Sequence, residues 1–564
     1  MRHIAFLLLL FTTACSSPYS TSDKSIRGVM GKEAMVVTAH PLATQVGLDI
    51  LEQGGNAYDA AAAVHFALAV VYPRAGNIGG GGFMVTRTYQ GDFLSLDFRE
   101  KAPGAATTNM YLDEEGNPIS ALSRQGYLAV GVPGSVAGIS AMHEEYGELD
   151  WSTVVLPAIK LAANGYSLTT AEAKKLNDYQ SEFSETNPNS QIPFLNQTKW
   201  VENDVIKIPA LSETLKRISS QGSDGFYAGE TANKIAEAMK ENNGLLTTQD
   251  LTNYSAKWRL PVESNYKQYN VVSMPPPSSG GVAVLQLIEG VEQNQKRLGK
   301  FNSAKTVHLY TELERRVYAD RASYLGDPDY FEVPVDTLIS DAYMKHRTEN
   351  ISWSRATSSQ EIKEGKVDKI ESVETTHYSI IDPKGNAVAI TTTLNGNYGS
   401  KVFLDELGFF LNNEMDDFSA KPGVPNMFGL VGAEANKIEP GKRMLSSMTP
   451  TIVEKNDELF MVVGTPGGST IITSVFQTIM NVVEFKMNMQ QAVNAKKVHH
   501  QWLPDRIIVE KGAISPKVRA ELLEMGHLME EREAIGRVDA ILVHKNGLLE
   551  GAADPRGDDL ALGF

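Results

Sequence analysis

Two β-prone runs flank Asp382-Pro383-Lys384-Gly385, and this turn constrains the fold more tightly than any other stretch of the chain. Asp at the first position, Pro at the second and Gly at the last suit a type I turn closed by a bulge residue in the left-handed region. His377 to Asp382 alternates like a strand on one side, and Asn386 to Asn395 forms a β-branched strand on the other. A three-residue loop of this kind sets Asp382 opposite Asn386. Carried to the end of the ladder, the same register sets Thr375 opposite Thr393. Opposed residues share a sheet face, so Thr391 and Asn395 are expected on that face as well.

This register matters because a threonine hydroxyl is a weak nucleophile that needs a base beside it. Cutting the peptide bond between Glu374 and Thr375 would free the threonine's own α-amine for that task. The stretch 354–372 just upstream has no aromatic residue and many Ser, Lys and Glu. It reads as a strand-free segment able to move away after a cut. The chain is then expected to be a precursor, with 34–374 as a large subunit and 375–564 as a small one headed by Thr375. The dipeptide itself carries little weight, since Thr-Thr recurs at 12–13, 107–108, 169–170 and 247–248.

A second hairpin is expected from Thr451 to about Gly464, turning near Lys455-Asn456-Asp457. Thr465-Pro466-Gly467-Gly468-Ser469 follows it, and a helical pattern runs from Thr470 to Phe485. Strand, double glycine and helix start together leave backbone N–H groups unpaired, which suits either a plain helix start or an oxyanion site. Leu411 to Phe418 gathers Glu414, Asp416 and Asp417 in a loop that could be solvated, hold a metal or receive an ammonium group. Ser446-Ser447 precedes a strand and suits a turn or a ligand contact. His499-His500 has no partner at ligand spacing and reads as structural. The glycine run Gly79 to Gly82 fits neither a dinucleotide fingerprint nor a P-loop, and reads as close backbone packing.

Net charge is −16, which disfavours nucleic acid as a partner because phosphate binding needs a basic face. The N-terminus carries Arg2, the apolar run Ile4 to Phe11, small residues and then Cys15, the only cysteine. The run is too short to span a membrane and has the form of a secretory signal. Residues 1–14 are expected to be a lipoprotein-type signal peptide, Cys15 the lipidated residue, and 15–33 a tether. Thr12 stands where such signals more often carry a leucine-like residue. A single cysteine allows no internal disulfide.

Many long motifs in order give the chain a close resemblance to the γ-glutamyltranspeptidases, members of the N-terminal-nucleophile hydrolase superfamily. They include Gly55 to Ala60, Asp97-Phe98-Arg99-Glu100, Val132 to Ser135, Asp320-Arg321-Ala322, Thr375 to Ser379, Leu411 to Pro425, Leu445 to Pro450, Pro466 to Ser469 and Asp554-Pro555-Arg556. The resemblance implies an α+β fold, a four-layer αββα sandwich formed jointly by two subunits of one precursor. It implies that Thr375 performs both self-cleavage and catalysis, with Thr393 hydrogen-bonding to it and Gly467 and Gly468 forming an oxyanion hole. Arg99, Ser446 and Ser447 would hold the α-carboxylate of a γ-glutamyl group, and Asn395, Glu414 and Asp417 its α-amine. No cofactor or metal is implied. Donors would be glutathione and related γ-glutamyl compounds, and acceptors water, amino acids or dipeptides; the N-terminal signal and Cys15 separately lead to the expectation of a periplasmic location at a lipid anchor. Lys421 to Asn436 resembles a loop covering the pocket, with Phe428 where tyrosine is common and so one hydroxyl fewer towards Asn395. A cephalosporin acylase is the neighbouring alternative, and some of those lack this loop. An unprocessed γ-glutamyl-binding lipoprotein is the alternative from another class.

Overall fold

The computed structural model describes residues 26–362, 375–421 and 423–564. Cys15, the signal peptide, most of the tether and the Glu374 side of the expected cut lie outside the described residues, as does most of the segment upstream of Thr375.

The turn at Asp382 behaves as its residues dictate. Asp382 donates its N–H to the Asn386 carbonyl at 3.1 Å, and Gly385 takes a φ of +92°. The Asp382 carboxylate accepts from Lys384 and Asn386 N–H groups, and its second oxygen accepts from Ala57 N–H at 2.9 Å. One side chain thus closes the turn and fixes the start of the helix Ala57–Val71. From there the ladder runs Ile381 opposite Ala387 through His377 opposite Thr391 to Thr376 opposite Thr392, the register expected from the turn.

This hairpin lies in the middle of a seven-stranded antiparallel sheet. From edge to edge its strands are Leu560–Gly563, Met35–Thr38, Thr376–Ile381, Ala387–Thr393, Gly81–Arg87, Phe93–Phe98 and Lys257–Arg259. Strands from before and after 363–374 are therefore interleaved, with Met35–Thr38 inserted between Leu560–Gly563 and Thr376–Ile381 and Gly81–Arg87 paired with Ala387–Thr393. A second seven-stranded antiparallel sheet runs Val29–Gly31, Leu549–Ala552, Asp539–Val543, Glu458–Gly464, Thr451–Lys455, Tyr269–Ser273 and Val262–Tyr266.

Strand alternation decides what fills each side. Val36, Tyr378, Ile380, Val388 and Ile390 pack outward against Ala57–Val71, a helix buried at every position. That explains why the helix is rich in Ala and Val with no polar face. Met35, Val37, Ile381, Ala387 and Ala389 point the other way, into a core shared with the second sheet and the helices Gly280–Gln293, Ala304–Tyr324 and Thr470–Val483. The order is helix, sheet, sheet, helix, the four-layer αββα sandwich. Thr375, His377 and Thr391 sit on the inner face, between the sheets.

Candidate active site

Thr375 stands one residue before the strand Thr376–Ile381 and is 3% exposed. It opens onto a pocket with about 300 Å³ of empty space, whose walls include Thr393, Asn395, Gly468, Arg99 and Asp417. His377, two residues on, is not a base for this site. Burial pushes its pKa down to about 3, and its ring lies between Thr391 Oγ1 at 2.9 Å and Ser379 Oγ at 3.0 Å.

The glycine run packs backbone against backbone behind Thr393. A Cβ on Gly80 would lie 2.1 Å from the Thr393 carbonyl oxygen, and one on Gly82 would lie 2.4 Å from that of Thr391. Asn77 adds a side-chain hydrogen bond from Nδ2 to the Thr393 carbonyl at 2.9 Å. Asn395 reaches the pocket by a different route from the one expected. The strand ends at Thr393, and Asn395 takes a φ of +76° while its N–H donates to Thr393 Oγ1 at 2.8 Å. A tight turn, not strand alternation, delivers Asn395 to the pocket wall.

The double glycine forms the opposite wall. Gly467 and Gly468 have φ values of +138° and +53°, conformations that residues with a Cβ rarely adopt. Their N–H groups donate to no acceptor among the described residues. Ser469 precedes the helix Thr470–Val483 but does not cap it, because its hydroxyl donates to Gln501 Oε1 at 2.8 Å. Thr470 and Ile471 N–H groups donate back to the Gly467 and Gly468 carbonyls at 3.0 and 3.2 Å, so the free donors at this helix start are the two glycine N–H groups, where a negative oxygen is favoured. Gly468 lines the pocket and Gly467 adjoins it.

The acidic loop turns inward. Arg99 Nη1 lies 2.5 Å from Glu414 Oε2 and 3.5 Å from Glu100 Oε2, while Nη2 lies 2.5 Å from Asp417 Oδ2. A guanidinium therefore occupies the centre of the acidic cluster, the place a bridging metal would need. Burial pushes the Asp417 carboxyl up to about 6 and Glu100 up to about 8, against the pull of Arg99, and it holds Glu414 well above the usual range. Burial alone would lower the Arg99 pKa, but Glu414, Asp417 and Glu100 offset it and keep Arg99 firmly protonated. Glu414 itself is fully buried and does not line the pocket.

Ser446 and Ser447 lie on the wall beside Arg321, a residue of the helix Ala304–Tyr324. The loop 423–436 folds over the pocket, with Phe428 and Leu430 in its wall. Asn426 Nδ2 donates to Asp417 Oδ1 at 3.0 Å, Met427 N–H to Asp416 Oδ2 at 2.8 Å, and Phe428 is 4% exposed. His499 and His500 are buried, and desolvation lowers their pKa values to about 3 and 4, so both are neutral internal hydrogen-bonding groups. The sequence motifs contain Arg321 but give it no role, and they do not single out Leu430 or Ile471 of the pocket wall. An arginine on the buried face of a helix, beside Leu313 and Val317, is the available signal for Arg321.

Residues 43–564 match the family model described as gamma-glutamyltranspeptidase. The chain belongs to the γ-glutamyltranspeptidase family. It is 44% identical to the glutathione hydrolase proenzyme of Escherichia coli (strain K12) over 100% of this chain and 99% of that one. Among solved structures it is similar to the cephalosporin acylase of Bacillus halodurans, with a TM-score of 0.84, 26% identity and 99% of each chain covered. It is also similar to the Helicobacter pylori gamma-glutamyltranspeptidase, with a TM-score of 0.56, 45% identity, 58% of this chain and 93% of that chain covered. The pocket of this γ-glutamyltranspeptidase lies where the strand that follows Thr375 and the double-glycine turn converge.

Proposed function

We propose that the protein is a self-cleaving γ-glutamyltransferase and hydrolase acting on glutathione and related γ-glutamyl compounds. The observation that carries this reading is the convergence of Thr375, unpaired Gly467 and Gly468 N–H groups and a charged pocket of both signs. In maturation, Thr375 Oγ attacks the Glu374 carbonyl carbon, the acyl group passes from nitrogen to oxygen, and water hydrolyses the resulting ester. That leaves a free α-amine on Thr375. In turnover the amine takes the proton from Thr375 Oγ as the oxygen attacks the γ-carbonyl carbon of the donor. The tetrahedral oxyanion points at the Gly467 and Gly468 N–H groups, each such donor being worth about 2.7–4 kcal/mol of barrier where measured. The amine returns the proton to the departing nitrogen, leaving an ester on Thr375. Water or the amine of an amino acid or dipeptide then takes the acyl group.

Positioning comes from the far end of the donor. Asn395 and Asp417 are assigned to its α-amine, Glu414 acts on the site through Arg99 from behind the pocket wall, and Arg99, Ser446 and Ser447 are assigned to its α-carboxylate, converting binding energy into alignment of the γ-carbonyl. The apolar run before Cys15 supports a lipid-anchored, periplasmic location. The experiment is Thr375→Ala: purified protein should run as one uncut band with no turnover of γ-glutamyl-p-nitroanilide. Cleavage persisting at Glu374 in that variant would remove the self-processing step.

A further inference from the structure

Arg99 and Arg321 share the pocket but not their surroundings. Three carboxylates lie within 3.5 Å of Arg99, whose two terminal nitrogens are each taken by one of them. Arg321 is 5% exposed and has no ion-pair partner among the described residues. Asp417 acts on Arg321 only from beyond ion-pair distance, and a buried guanidinium so placed favours an anion that comes within reach.

Its orientation is built in. Nε donates to Ser279 Oγ at 2.9 Å and Nη2 to Ser447 Oγ at 3.2 Å. Ser279 stands at the N-cap position of the helix Gly280–Gln293, yet its hydroxyl makes no cap bond. That hydroxyl accepts from Arg321 and donates to the Ser446 carbonyl at 2.6 Å. A serine at that position ordinarily caps the helix, and here its hydroxyl is used to aim a guanidinium. The Nη1 group makes no hydrogen bond to any described residue, and Arg321 lines the pocket next to Ser446 and Ser447. Burial lowers the Arg321 pKa to about 10, which still leaves it charged near neutral pH.

We propose that Arg321, together with the Ser447 hydroxyl it holds, is a binding residue for the α-carboxylate of the γ-glutamyl donor. The pocket then presents Asp417, ionised above about pH 6, to the ammonium and Arg321 to the carboxylate of a zwitterion. A planar fork fixed at one edge presents parallel donors that suit a carboxylate. This inference rests on the γ-glutamyl reading above.

The test compares two donors in wild type, Arg321→Met and Arg321→Lys, each first checked for maturation into two fragments. One donor is γ-glutamyl-p-nitroanilide; the other is 4-aminobutyryl-p-nitroanilide, which keeps the ammonium and lacks the carboxylate. If the second donor turns over too slowly, the Ki of L-glutamate against that of 4-aminobutyrate supplies the same ratio. The Met variant is expected to lose on the order of 100-fold in kcat/KM for the first donor, mostly through KM. It should change the second donor by less than about threefold, so that the preference between donors collapses. The Lys variant keeps the charge without the fork and should recover part of the preference. Should the Met variant fail to mature, the Lys variant carries the test with a loss of about 10-fold confined to the carboxylate-bearing donor. Equal losses on both donors, or an unchanged preference, would overturn the assignment. If the wild type itself shows no preference for the donor with a carboxylate, the γ-glutamyl reading falls and takes this inference with it.

Discussion

The side-chain amide of Gln501 donates to the Phe428 carbonyl at 3.1 Å, and its Oε1 accepts from Ser469 Oγ at 2.8 Å. A single side chain therefore joins the loop that covers the pocket to the residue that follows the two oxyanion glycines. Phe428 carries no side-chain hydroxyl with which to hold the cover. The main chain of Phe428 supplies a latch in its place.

Replacing Gln501 with Leu removes both bonds, together with the 3.0 Å contact between His499 Nε2 and Gln501 Oε1, and leaves the buried Phe428 carbonyl without its donor. An unsatisfied buried acceptor costs about 1–3 kcal/mol. The cover should open more often, so limited proteolysis within 421–436 should accelerate roughly 5- to 100-fold, and water should compete better with amine acceptors. The ratio of transfer to hydrolysis, measured with a dipeptide acceptor, is expected to fall. A proteolysis rate equal to wild type would rule out the latch.

Gly467→Ala tests the turn. At a φ of +138°, and with a new Cβ placed 2.5 Å from Thr470 Oγ1, the alanine must distort the segment that aims the N–H groups. Loss of one such donor is expected to lower kcat by about 10²–10³-fold. KM for the donor should stay within a few-fold of wild type. Unimpaired kcat would mean that the double glycine serves packing alone.

Asp417 gives the pH profile a predictable limb. Burial raises its pKa from 3.8 to about 6, so its carboxylate is ionised above that pH and protonated below it. An ammonium donor prefers the ionised form, so kcat/KM should rise with pH through about 6. Asp417→Asn should abolish that inflection and leave only the later rise as the Thr375 amine loses its proton, ordinarily near 7.7–8. The effect on folding has the opposite sign. A raised pKa means that the folded state binds the proton more tightly, so the stability this group contributes is complete below 3.8 and is lost as pH rises through about 6. Thermal melts of wild type and Asp417→Asn across pH 4 to 7 should diverge in that sense.

Cys15→Ser should release the protein from membranes into the soluble periplasmic fraction while leaving Thr375-dependent cleavage intact. Fractionation followed by mass spectrometry of the mature N-terminus reads both outcomes. Unchanged membrane association in the variant would exclude lipidation at Cys15.

Local chemistry makes much of this site legible in the amino-acid sequence. The register from Asp382 to Thr375 follows from turn residues and period-two alternation, because hairpins are set by neighbours in sequence. The Gly467-Gly468 turn is visible for the same reason, since few residues tolerate positive φ. The details of the four-layer packing are not legible. Nothing local tells Met35–Thr38 to insert between Leu560–Gly563 and Thr376–Ile381. The roles of Arg321 and Gln501 are hidden because they depend on partners more than seventy residues away, Ser447 and Phe428. Alternation points Asn395 at the pocket for a wrong geometric reason, because the strand stops two residues earlier than its β-branched composition implies.

The interleaving of the central sheet sets the thermodynamics of the mature enzyme. With Met35–Thr38 hydrogen-bonded on both sides to strands from beyond Thr375, and Gly81–Arg87 paired with Ala387–Thr393, a cut before Thr375 would sever the chain without freeing either piece. The two pieces could part only by unravelling the sheet. Before the cut, an unfolded molecule can recover by itself; after it, recovery is a second-order encounter between fragments that must also meet the entropic cost of association. Self-cleavage would then act as a ratchet: refolding yield should depend on protein concentration for the cut enzyme and not for Thr375→Ala. The mature protein would owe its lifetime to slow unfolding rather than to reversible folding.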